Sequence, residues 1–62
     1  GNRKAQEIQS ILDLNKSKID LGDALTKIED AQRASFILRE MVLLGKLTKS
    51  GRGTKAIYTV VG

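Results

Sequence analysis

The sequence predicts an α+β domain, with helices first and a small antiparallel sheet ending in a C-terminal β-hairpin. Apolar residues recur at helical spacing over residues 3–14 and again over residues 31–44. From Leu47 onward the apolar period falls from 3.6 to 2, and a glycine-bearing loop, Ser50-Gly51-Arg52-Gly53, separates two strand-like runs.

Taken in order, Ala5, Ile8, Ile11, Leu12 and Asn15 share one side of the first helix, with Gln6, Gln9, Ser10 and Asp13 opposite. Asn15 is a polar stop. Lys18-Ile19-Asp20 is too short to stand alone as a strand but can add a rung or two to a sheet. A two-turn helix over residues 21–28 aligns Leu21, Leu25 and Ile28, with Asp20 as its cap. Asp30 then caps the strongest helix of the chain. On that helix Ala31, Ala34, Ile37, Leu38, Met41 and Leu44 form a broad apolar face, and Gly45 stands where a left-handed C-terminal cap is needed. The opposite stripe is Gln32, Phe36, Arg39 and Leu43, flanked by Arg33, Ser35 and Glu40. Leu47-Thr48-Lys49 and residues 55–61 are the strands of the hairpin, the second rich in β-branched and aromatic residues.

The 62 residues amount to one domain, and the start at Gly1 leads us to expect a piece of a longer protein. A chain of this size buries only about 60% of its unfolded surface, so modest stability is expected. With no cysteine it has no disulfide, and with no histidine it lacks the usual zinc ligand and general base. Apolar content of 40% and charged content of 29% suit a soluble globular domain rather than a disordered chain. No apolar run approaches the roughly 20 residues of a membrane span, and the polar start is unlike a signal peptide, so a cytoplasmic or other intracellular location is expected.

The net charge of +4 becomes informative once it is located. Residues 1–45 hold seven basic and seven acidic side chains, and the whole excess lies beyond them in Lys46, Lys49, Arg52 and Lys55. Charge gathered this way suits a polyanion, either nucleic acid or an acidic membrane surface; the bland reading is a solubilising tail.

Enzymatic readings fail on context. Gly51-Arg52-Gly53-Thr54-Lys55-Ala56 satisfies the dinucleotide-binding fingerprint, but that motif must open a helix, and here a strand-forming run follows. Gly45-Lys46 resembles the end of a phosphate-binding loop, yet Leu47 occupies the hydroxyl position. The serines have no histidine to activate them, and Glu29 and Asp30 are better explained by capping. No enzymatic activity and no cofactor is expected.

Three helices with a tight turn between the second and third make a helix-turn-helix, and a following hairpin supplies a wing. The run Ala34-x-x-x-Leu38-x-x-Met41-x-x-x-Gly45-x-Leu47, then Gly51-Arg52-Gly53 and Tyr58-x-Val60, resembles the winged-helix superfamily. The likeness spans nearly the whole chain. It is similar to the compact winged helices of bacterial and phage regulators, or those appended to larger nucleic-acid enzymes, without selecting a subfamily. Ile19 would belong to the small first strand of the three-stranded sheet.

The resemblance implies double-stranded DNA as partner, with a homodimer or a parent protein as further contacts. The third helix would enter the major groove, where Gln32 matches adenine, Arg33 or Arg39 matches guanine, and Ser35 suits a phosphate. Lys49, Arg52 and Lys55 would follow the backbone or minor groove as a basic wing. Arg33 has a competing expectation, a solvated helix face with pairing to Glu29 or Asp30. Those two acids at the helix start oppose a phosphate there unless they turn aside or hold an arginine. Phe36 and Leu43 depart from a typical DNA-reading stripe. Three readings stand: packing under the first helix or the wing, a partner or dimer surface, or contact with a thymine methyl. A protein-interaction module using Phe36, Leu43 or an edge strand ending at Val61 is the second function reading. Single-stranded nucleic acid is the third, weakened by the scarcity of aromatic rings for stacking.

Overall fold

In the structure, a computed structural model that describes residues 2–62, the chain runs α1 (Arg3–Leu12), β1 (Lys18–Ile19), α2 (Leu21–Leu25), α3 (Ala31–Leu43), β2 (Leu47–Ser50) and β3 (Ile57–Val60). The α+β class holds, with three helices and one three-stranded antiparallel sheet.

α1 is shorter than its apolar pattern suggested. The N–H groups of Leu14 and Asn15 reach back to Ile11 and Leu12 in a tightened final turn, and Asn15 takes a left-handed φ of 57°. Asparagine tolerates that conformation, so the chain turns into β1 there. α2 also stops early, at Leu25. The Thr26 hydroxyl donates to the Asp23 carbonyl at 2.6 Å, a local bond that competes with helix continuation, while Ile28 still buries itself beyond the helix end. At the start of α2, Asp20 and Asp23 form a reciprocal capping box: Asp23 N–H donates to Asp20 Oδ1 (2.9 Å) and Asp20 N–H to Asp23 Oδ2 (3.1 Å).

Asp30 caps α3 as expected, accepting from the N–H of Gln32 at 2.9 Å and of Arg33 at 3.5 Å. α3 ends in a Schellman arrangement. Lys46 N–H donates to the Met41 carbonyl (2.8 Å) and Gly45 N–H to Val42 (3.0 Å), with Gly45 at φ 77°. A side chain at that φ would be strained, which is why glycine follows the last helical turn.

The sheet order is β1-β3-β2. β3 is therefore the central strand, and the expectation of an edge ending at Val61 is corrected: the free edges belong to β1 and β2. Ile19 pairs with Tyr58, while Leu47 pairs with Val60 and Ser50 with Ile57. The hairpin loop is longer than its glycines implied. Residues 53–55 coil into a 3-10 turn, so Lys55 lies in the loop rather than in the strand, and Ala56 tucks inward at 1% exposure. Gly51, at φ 87°, makes the reversal that allows this.

Ile11, Ile19, Ile37, Leu38, Met41 and Leu47 are the largest fully buried side chains and join all three layers: α1, the α2–α3 pair and the sheet. Ala31 and Leu44, expected on the apolar face, are exposed, because the helix ends carry them past the edge of the core. Two ion pairs clasp α1 to α3, Lys4–Glu40 and Glu7–Arg33, each at 2.7 Å. Among the described residues no helix is long and apolar enough to cross a membrane.

Candidate nucleic-acid interface

The stripe of α3 that turns away from the core, residues 32, 35, 36, 39 and 43, is exposed along its length. The burial of Ala34, Ile37, Leu38 and Met41 on the other side forces this, since a helix that anchors one face must present the opposite one. The β2–β3 hairpin folds back beside that stripe and closes a groove. Ser35, Arg39 and Leu43 form its helical wall, Lys49, Gly53 and Thr54 the hairpin wall, and Leu21 and Tyr58 lie between them. An adjoining cleft continues toward the start of α3 and is lined by Leu21, Ala31, Gln32, Ser35, Phe36, Arg39 and Thr54.

Four of the expected site residues, Gln32, Ser35, Arg39 and Lys49, thus meet along one depression. Arg52 and Lys55 do not line it; they sit exposed in the hairpin loop at its end. Arg33 stands apart from the groove. Its Nε and Nη2 donate to Glu7 Oε1 at 2.9 and 2.7 Å, and its guanidinium carbon lies 5.0 Å from the centroid of the Phe36 ring. Its partner is therefore Glu7 on α1 and neither Glu29 nor Asp30. The pairing carries no local sequence signal, since Glu7 and Arg33 meet only when α1 packs across α3. Leu21 and Thr54 were likewise not singled out as groove residues; only the folding-back of the hairpin toward α2 brings them there.

The reading of Phe36 and Leu43 as packed side chains is corrected: Phe36 is 40% and Leu43 73% exposed. Both line the groove system rather than lie under α1 or the wing.

Glu7, Asp23 and Glu40 are ion-paired, Asp20 and Asp30 cap helices, and Asp13 accepts from Gln9 at 2.8 Å. Of the two acids expected to repel a phosphate at the start of α3, Asp30 is turned into its cap but keeps its charge, and Glu29 is exposed with no ion pair among the described residues. Lys18, Lys27, Arg39, Lys46, Lys49, Arg52 and Lys55 have no ion pair among the described residues. The hydrogen bonds from Arg33 hold the Glu7 carboxyl below its ordinary pKa, and the Lys16 ammonium does the same for Asp23. Burial pushes the Tyr58 phenol up.

With three carboxylates held in ion pairs, the unpaired cations beside the exposed helix form an open basic surface without a buried binding chamber. Among the described residues no group of His, Cys, Asp and Glu side chains is arranged to hold a metal ion. Compared with protein-family models, curated proteins and solved structures, the chain matches none.

Proposed function

We propose that this chain is a winged-helix module that binds double-stranded DNA, with α3 as the recognition helix and the β2–β3 hairpin as the wing. The observation that carries the reading is the shared groove: the exposed stripe of α3 and the cationic hairpin face the same side, while most of the acids are engaged elsewhere. The element order, with β1 completing the sheet against β3, supports the same architecture. The module would serve a transcription regulator, or act as an accessory part of a larger protein that works on nucleic acid.

In this mode Gln32, Ser35 and Arg39 approach base edges and backbone in the major groove. Lys49, Arg52 and Lys55 neutralise phosphates, and Arg52, at the exposed loop, suits a narrow minor groove. With about three to five phosphates neutralised, log K against log salt falls with a slope of roughly −3 to −4.5. A single module of this size buries a small interface, so a dimer or a parent protein would add the remaining affinity.

Titrating isotope-labelled protein with duplex DNA at low salt tests the proposal. Shifts in the amides of residues 32–39 and 49–55 support it. Unperturbed amides in both segments sink it. A protein-interaction module is the second reading, favoured by Leu43 and Leu44 at 73% and 55% exposure. It predicts self-association or partner capture that is insensitive to salt, and sedimentation as a monomer at every concentration argues against self-association.

A further inference from the structure

We propose that Phe36 reads a thymine methyl group in the major groove and that the Glu7–Arg33 pair is the device that positions its ring; this deepens the DNA-binding reading and rests on it. Phe36 lines a cleft together with the apolar Leu21 and Ala31 and the polar Gln32, Ser35 and Arg39. An apolar ring among hydrogen-bonding groups matches a surface of the same mixed kind. The major-groove edge of DNA offers acceptors and donors together with one apolar group, the C5 methyl of thymine. Gln32, four residues earlier on the helix, suits an adenine edge nearby. Arg39 and Lys49, unpaired beside the cleft, make a polyanion the complementary partner in charge.

One face of the ring is backed by a guanidinium. Arg33 stacks at 5.0 Å from its centroid, and both donors that fix the guanidinium run to Glu7 Oε1, while Arg3 Nε approaches the other oxygen, Oε2, at 3.5 Å. A planar guanidinium held by a carboxylate is a rigid backing for an aromatic face. Those same bonds draw the guanidinium toward α1 and away from bases. Arg33 is thus a positioning residue, acting on DNA through Phe36, rather than a guanine reader.

The test uses a random-sequence duplex pool from which tight binders are recovered, followed by synthesis of the recovered duplex with deoxyuridine replacing thymidine. Uracil lacks only the methyl, so every polar contact is retained. Loss of one buried methyl should weaken binding about fourfold. Phe36→Ala should bind both duplexes equally. Glu7→Gln should bring the thymine-to-uracil ratio toward one while the salt slope stays unchanged, which a loss of folding could not produce; circular dichroism confirms the fold. Equal affinity of the wild-type protein for the two duplexes overturns this proposal and leaves DNA binding standing, as does a pool that yields no enriched sequence. Failure to bind any duplex overturns both. The wild-type comparison needs no variant, so an unfolded mutant does not rescue the idea.

Discussion

Arg33 and Arg39 lie six residues apart on one helix and have opposite surroundings. Arg33 is clasped by Glu7 of α1 and backs onto Phe36, whereas Arg39 stands unpaired in the groove that α3 shares with the hairpin. The helix turns about 100° per residue, so a six-residue step is far from a whole number of turns and places the two side chains at different angles. One arginine belongs to the seam between helices and the other to the outward stripe. Identity of side chain therefore says little about role here; the neighbour on the next element decides it.

The widest separation between the two sides of α3 lies in stability. Leu38 is 1% exposed and Leu43 is 73% exposed, so the same truncation on the two faces should differ sharply. Leu38→Ala should cost about 2–5 kcal/mol, enough to unfold much of a domain this small, and Leu43→Ala about 0.5 kcal/mol or less. Urea denaturation of both variants measures the difference. Equal losses would mean that the outward stripe is not outward.

Binding sharpens the same contrast. On the proposed DNA-binding reading, Arg39→Ala should cost about 1–3 kcal/mol in duplex affinity, change sequence preference, and leave the unfolding midpoint unmoved. Arg33→Ala should lower that midpoint through the lost clasp. The double change Arg52→Ala with Lys55→Ala should weaken all sequences alike and flatten the salt slope by about 2. Anisotropy titrations at several salt concentrations read each effect. If Arg33→Ala and Arg39→Ala behave alike, the two arginines do not differ in role.

A smaller effect concerns the start of α3. Asp30→Ala removes the side-chain oxygen that accepts from the first free N–H groups and should cost about 1 kcal/mol by thermal unfolding. That change also removes an acid near the groove, so duplex affinity should rise slightly while stability falls. Parallel loss of both would show that the cap is needed to shape the interface.

The last contrast is in pH. Glu7 has a lowered pKa when folded, because Arg33 donates to it, so its contribution is present above its unfolded pKa and is lost as pH falls through the folded value. Stability should decline on acidification below about pH 4.3, the ordinary glutamate value. Glu7→Gln should be less stable at neutral pH, with a shallower acid limb. Tyr58 gives the opposite sign: its raised folded pKa means stability is lost as pH rises past about 10, where the unfolded tyrosine ionises.

Much of the fold was legible in the chain. The caps at Asp20 and Asp30, the stop at Gly45 and the change of period after it are local events, set by hydrogen bonds within a few residues. The coil of residues 53–55 was not legible, because a tight 3-10 turn leaves no periodic pattern and Ala56 is buried only by the packing around it. Of the candidate site, the outward stripe of α3 could be read from helical spacing. The charge excess beyond Gly45 could be counted, but which cations stay unpaired could not.

By itself, the sequence determined the order of the elements, the inward position of Ala34, Ile37, Leu38 and Met41 on α3, and the gathering of basic residues about the hairpin. These follow from periodicity and short-range capping, which depend on neighbours along the chain. Tertiary structure alone decided that β3 is central, that Glu7 takes Arg33, and that Phe36 and Leu43 face a groove instead of the core. Each of those results requires segments distant in sequence to meet, and no local pattern encodes the geometry with which they do so.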